Sequence, residues 1–212
     1  MLVVCLVVSP IVPQLEKMVN KLGLVHIYTG NGKGKTTHAM GIALRALGQG
    51  FKVYVVQFMK GGAYTGEFIA AKNFLEKIGF EQFGKPCVKE QKQMKLSGMD
   101  EDKPGFFDYV RDDIQCGDCR ACFLNDQEQK AYVDDAYERS KEVLNSGEFD
   151  LVVLDEINVA LNLGFLTLEQ VTYLIKNKPS HVELVITGRG AKQEIMDLAD
   201  YVTKMEEVKH PF

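Results

Sequence analysis

The apolar positions along this chain fall into short blocks whose period switches between two and 3.6. The run Leu24-Val25-His26-Ile27-Tyr28 predicts a first buried strand. After a glycine-rich turn comes a helical pattern with Ala39, Met40, Ala43, Leu44 and Leu47 on one face, stopped by Gly48-Gln49-Gly50. Residues 52–59 read as a second buried strand through Val53, Tyr54, Val55, Val56 and Phe58. A helix is predicted over 66–78 and a short strand over 80–83. Periodicity then fails from 84 to 126, a length that marks a functional or mobile segment inside a domain. It returns with a helix over about 127–144, whose apolar face is Val133, Ala136, Tyr137, Ser140 and Leu144.

Phe149-Asp150-Leu151-Val152-Val153-Leu154-Asp155-Glu156 is a buried strand ending in two acids. Thr167 with Gln170 forms a capping box for a helix that Pro179 ends. Residues 182–187 predict another buried strand, opening onto Gly188-Arg189-Gly190. Residues 191–199 predict a helix with Ile195 and Leu198 inward, and 201–205 a last strand. Alternating strands and helices imply an α/β fold, a mostly parallel, doubly wound sheet flanked by helices.

Two of these turns carry chemistry. Thr29-Gly30-Asn31-Gly32-Lys33-Gly34-Lys35-Thr36-Thr37 follows a strand and opens a helix, the context of a phosphate-binding loop. Glycines let successive N–H groups turn inward, the helix N-terminus adds partial positive charge, Lys35 reaches outer phosphates, and Thr36 offers a hydroxyl to Mg²⁺. The usual pattern has glycine where Thr29 stands. Asp155-Glu156 has the Walker B form, a buried strand delivering carboxylate beside the loop's metal. The Gln57-to-Gly62 turn also lies at a strand's carboxyl end, where open α/β sheets gather ligands.

Composition narrows the function classes. A net charge of −4 over 212 residues argues against a general nucleic-acid binder. No apolar run approaches the roughly 20 residues that span a bilayer. Leu2 to Val8 is apolar but short, with no basic residue between it and Met1, so residues 1–21 are read as a leader or extension, with Met18 a possible start. Five cysteines, three of them clustered, suit a reducing cytoplasm better than a disulfide framework. His26, His38, His181 and His210 are scattered and read as structural.

Taken together, the chain resembles the ATP:corrinoid adenosyltransferases built on a phosphate-loop, RecA-like fold. The resemblance rests on the loop from Thr29 to Thr37, Arg45-Ala-Leu-Gly48, Val56-Gln-Phe-Met-Lys-Gly61 and Gly66-Glu67. It continues in Val153-Leu-Asp-Glu-Ile-Asn158, Ile186-Thr-Gly-Arg-Gly190, Asp197-Leu-Ala-Asp200 and Val208-Lys-His-Pro-Phe212. It covers roughly 22–84 and 127–212, and Thr29 is what the family has at that position. Where the family usually places aromatic residues near the corrinoid, this chain has Pro86-Cys87-Val88-Lys89, and the family commonly runs on past the motif ending at Phe212. The resemblance implies transfer of the 5′-deoxyadenosyl group of ATP to the reduced cobalt of a corrinoid, with release of triphosphate. It implies that Asn31 to Thr37 hold the triphosphate, that Thr36 and Glu156 hold Mg²⁺, and that Arg45 and Arg189 add positive charge. Asp155 holds the metal through water or orients Thr36. The implied partners are ATP, a reduced corrinoid, an electron-donor protein and a second copy of the chain. A phosphoryl-transferring ATPase or small-molecule kinase, or an ATP-gated corrinoid carrier, would use the same loop.

Cys116, Cys119 and Cys122 stand outside that resemblance. Three thiols at this spacing can converge on zinc or an iron–sulfur cluster, with Cys87 or Asp126 as fourth ligand; the alternative is free thiols on an insertion. Protein purified anaerobically is expected to carry either iron with sulfide or zinc alone. Three freely titrating thiols without bound metal would exclude both.

Overall fold

The computed structural model describes residues 23–61, 65–86 and 126–209. In chain order these form β1 (Val25–Thr29), α1 (Lys35–Gly48), β2 (Val53–Phe58), α2 (Gly66–Asn73), β3 (Ile78–Phe83) and α3 (Gln127–Asn145). There follow β4 (Leu151–Asp155), α4 (Ile157–Asn162), α5 (Leu168–Asn177), β5 (Glu183–Thr187), α6 (Gln193–Met196) and β6 (Tyr201–Lys204). The six strands make one sheet in the order β3-β2-β4-β5-β1-β6, and every pairing is parallel. This is the expected α/β, RecA-like phosphate-loop architecture.

The alternation of side chains along each strand sorts the core into two layers. Tyr54, Val56, Phe58, Val152, Leu154, Leu184 and Ile186 pack with residues of α3, α4 and α5. Val53, Val55, Leu151, Val153 and Val185 pack with α1 and α2. Every residue of β2 and β4 is therefore buried, as a parallel sheet covered on both faces requires. β6 closes one edge with all four residues exposed. None of the described helices is long and apolar enough to cross a membrane.

The helix over residues 127–144 has the predicted face: Val133, Ala136, Tyr137, Ser140 and Leu144 are all buried. Three other expectations are corrected. The helix predicted over 66–78 ends at Asn73; Lys77 turns through φ 59°, and Ile78 begins a strand in register with Val53. Strand pairing overrides the helical pattern there. The helix predicted over 191–199 shrinks to the four residues of α6, although Ile195 is buried as expected. Leu44 is 57 % exposed, because α1 buries the small Ala39 and Ala43 against the sheet.

Residues 87–125 lie outside the described part, but their flanks are tied together. Asp126 caps α3 by accepting from the Gln129 N–H and forms an ion pair with Lys85. The Lys85 N–H donates to Gln129 Oε1 at 3.1 Å. Asp126 is thus engaged as cap and ion-pair partner.

The Thr167–Gln170 box is fully formed: the Gln170 N–H donates to Thr167 Oγ1 at 3.2 Å, and the Thr167 N–H to Gln170 Oε1 at 2.8 Å. Thr167→Ala removes the cap and is expected to cost about 1 kcal/mol, read as a lower denaturant midpoint.

Candidate functional site

β1 ends at Thr29 and the glycine loop begins. Gly30 and Gly34 take φ of 95° and 101°, conformations that favour glycine. Packing adds a second demand. A Cβ on Gly30 would lie 2.3 Å from Met205 O, and one on Gly32 would lie 2.9 Å from the Glu206 backbone. The loop rests on the segment just past β6, and the Gly32 N–H donates to Met205 O at 2.8 Å. Lys35 opens α1 and folds back, donating to Gly30 O at 2.8 Å and Gly32 O at 2.6 Å. Burial pushes its pKa down; Glu156 acts against that shift. Asn31, Lys33 and Thr37 are exposed on the rim.

Asp155, at the end of β4, accepts from four side chains. Thr36 Oγ1 (2.9 Å) and Thr187 Oγ1 (2.6 Å) donate to Oδ1. Gln57 Nε2 (3.0 Å) and Lys60 Nζ (2.6 Å) donate to Oδ2. Glu156 stands beside it at φ 65°, its N–H donating to Thr187 Oγ1 at 3.0 Å. Its carboxylate makes no hydrogen bond or ion pair with a described residue. Burial, then repulsion from Asp155, raises its pKa, against the opposing pull of Lys60, Lys35 and Arg189. Two neighbouring acids thus have different surroundings: one saturated by donors, the other flanked by cations and unbonded.

Lys60 is the site residue to which the sequence assigned no role. It follows Met59, a non-glycine at φ 58°, and its N–H donates to Phe83 O at 3.2 Å. A Cβ on Gly61 would lie 1.7 Å from Gly84 O, so the exits of β2 and β3 meet only because both residues are glycine. The available signals were Gln57, polar within an otherwise apolar strand, and the Lys-Gly-Gly that follows.

Arg189 projects from the turn after β5. The Gly188 N–H donates to Tyr28 O at 3.2 Å, and the Ala191 N–H to Thr29 Oγ1 at 3.0 Å. Thr29, the departure from the general loop pattern, therefore ties the phosphate loop to the Arg189 turn through its hydroxyl. Asn158, fully buried, packs its Cβ against Gly188, and both of its amide atoms lack hydrogen-bond partners among the described residues.

The structure thus brings Thr29, the glycine loop, Lys35, Thr36, Asp155, Glu156 and Arg189 to one end of the sheet. It does not bring Arg45 there. Arg45 lies in the last turn of α1, about 15 Å along the helix axis from Lys35 at 1.5 Å per residue. Cys87, Cys116, Cys119 and Cys122 lie outside the described residues, as does His210. His26 pairs with Glu183 at 2.5 Å and His38 packs on Tyr28. Among the described residues, no three His, Cys, Asp or Glu side chains converge as a metal site.

Comparison with known proteins points the same way. The family model for "ATP:corrinoid adenosyltransferase BtuR/CobO/CobP" matches residues 21–109 and 94–212. A protein of Pseudomonas aeruginosa named corrinoid adenosyltransferase is 35% identical over 190 residues, 90% of this chain and 78% of that protein. An Escherichia coli K12 protein of the same name is 33% identical, over 90% of this chain and 80% of its own length. Corrinoid adenosyltransferase CobA of Salmonella typhimurium is 35% identical with the same coverage, 90% and 80%.

The contrast between the two acids gives a stability prediction for the protein without nucleotide. Asp155→Asn leaves Lys60 without its counter-charge and is expected to cost about 3 kcal/mol, the low end for breaking a buried pair. Glu156→Gln removes a desolvated, unbonded charge and is expected to leave stability unchanged or higher. Denaturant midpoints of the two variants check the difference.

Proposed function

The chain belongs to the ATP:corrinoid adenosyltransferase family, and on that basis we propose that it transfers the 5′-deoxyadenosyl group of ATP to the reduced cobalt of a corrinoid in the making of adenosylcobalamin. The observation that carries the reading at the residue level is the charge arrangement around the phosphate loop. Lys35 lies against the loop carbonyls of Gly30 and Gly32, Lys60 pairs with Asp155 next to Glu156, and Arg189 follows the end of β5, all at the strand ends from which the loop and the acid pair project. A triphosphate leaving group needs such a setting.

The reaction puts little demand on side-chain acid or base chemistry. The cobalt electron pair forms the new bond to C5′, the C5′–O bond breaks, and its electrons leave on the triphosphate. No proton has to move. The protein's work is to hold C5′ in line with cobalt and to stabilise the charge gathering on the leaving group. The loop N–H groups, Lys33, Lys35 and Arg189 are assigned to the triphosphate. Lys35 donates to the carbonyls of Gly30 and Gly32, acceptors that a phosphate oxygen can replace.

The donor set fits Mg²⁺. The Thr36 hydroxyl and the unbonded Glu156 carboxylate are hard oxygen donors, and Mg²⁺ is commonly held by one or two carboxylates together with substrate phosphates. Bound there, it would neutralise triphosphate charge. With both Asp155 oxygens engaged, Asp155 is assigned to orienting Thr36 rather than to direct ligation. The same reading takes the protein as a cytoplasmic homodimer supplied by an electron-donor protein, and keeps Cys116, Cys119, Cys122 and Cys87 as a zinc or iron–sulfur site.

Product analysis with ATP and a chemically reduced corrinoid tests the proposal. Triphosphate with adenosyl-cobalt is expected; ADP with phosphate or a phosphorylated acceptor would mean a phosphoryl-transfer enzyme instead. Lys35→Ala is expected to stay folded and to lose about 100-fold or more in turnover, the scale of removing one donor to developing charge. Wild-type turnover in that variant would remove the central assignment. Glu156→Gln is expected to weaken the Mg²⁺ dependence of triphosphate binding, measured by titrating Mg²⁺ at fixed triphosphate.

A further inference from the structure

Arg189 sits on a turn, residues 188–191, that is fastened from several sides while its own guanidinium is bonded to no described residue. Tyr28 O accepts from the Gly188 N–H and Thr29 Oγ1 from the Ala191 N–H, both on the β1 side. The opposite side is held by Asn162, the last residue of α4. Its Nδ2 donates to Arg189 O at 2.9 Å and to Gly190 O at 2.8 Å. One amide group thus serves two consecutive carbonyls. The contact is close: a Cβ on Gly190 would stand 2.5 Å from Asn162 Nδ2, and Gly190 is at φ 67°. The positive φ favours glycine there, and any side chain would displace the Asn162 amide from its two carbonyls.

Every one of these bonds is to the backbone of the turn. They fix where the Arg189 Cα stands and leave the charged head free for a partner from outside the chain. An exposed arginine searches many rotamers, so anchoring its backbone reduces what must be ordered when an anion arrives. Asparagine suits this position because a single NH₂ carries two donors. Aspartate has the same shape and no donor.

We propose that Asn162 is a positioning residue for nucleotide binding: its amide clamps the Arg189 and Gly190 carbonyls and so presets Arg189 for the triphosphate of ATP. This rests on the nucleotide site proposed above, and nothing in the reaction requires Asn162 to touch substrate.

A double-mutant cycle tests it, with MgATP binding to the full chain measured by calorimetry. Asn162→Ala is expected to weaken binding about fivefold, which is about 1 kcal/mol at 1.4 kcal/mol per tenfold and within the range of a lost hydrogen bond. In an Arg189→Ala background the same change is expected to have no further effect. Asn162→Asp is expected to weaken binding more than Asn162→Ala, since its carboxylate repels the carbonyls and competes for the guanidinium. Thr167→Ala, which removes a cap whose hydrogen bonds are to Gln170 and not to the turn, is expected to bind as wild type. Equal losses from Asn162→Ala with and without Arg189, or wild-type binding by Asn162→Ala, would overturn the proposal. If the chain binds MgATP with the nonadditive cycle but transfers no adenosyl group, the clamp stands and the adenosyltransferase reading falls. If it binds no MgATP, both fall.

Discussion

A carboxylate with almost no exposure is tolerable only when its lone pairs are taken, and Asp155 is 1 % exposed with four donors on its two oxygens. Those donors come from four places in the chain: the start of α1, the body of β2, the residues just beyond β2, and the end of β5. The requirement that one buried charge be satisfied therefore fixes the relative positions of the phosphate loop, the β2 exit and the β5 exit. Gln57 extends the network outward, accepting from Gln82 Nε2 at 2.8 Å, so β3 is tied in as well. Loss of one donor leaves the others to carry a desolvated charge, which is why such a network behaves as a unit.

Glu156 is placed by the same network but does not belong to it. Its backbone is held by Thr187, in a left-handed conformation that a non-glycine residue adopts at a cost. The result is a carboxylate projecting toward cations without a bond to any described residue. Structure and reactivity are thus divided between adjacent acids. Asp155 gives the frame its rigidity, and Glu156 retains the capacity to bind something else. A sequence containing two consecutive acids does not say which does which; the hydrogen-bond partners do.

Local patterning made much of the fold legible. Apolar runs ending in glycine or acid located β1, β2, β4 and β5, and the period of 3.6 located α3 with its buried face. Where the prediction failed, pairing at a distance had decided the outcome. Ile78 pairs with Val53, and that alignment ends the helix expected to reach residue 78. The six residues of α4 are too few to display a helical period. In the site, the loop and the acid pair were visible because each is contiguous. Lys60 was not, since its partner Asp155 lies 95 residues away. Nor was the reason for Thr29, whose hydroxyl acts on Ala191, 162 residues on.

The Lys85–Asp126 pairing at the foot of the segment 87–125 has an evolutionary consequence. The two ends of that stretch are held in place by one ion pair and one capped helix end. The entropy of closing such a stretch grows only slowly with its length. A change in the number of residues between those ends is therefore expected to cost the sheet little in closure entropy. That tolerance is one on which natural variation in length can act.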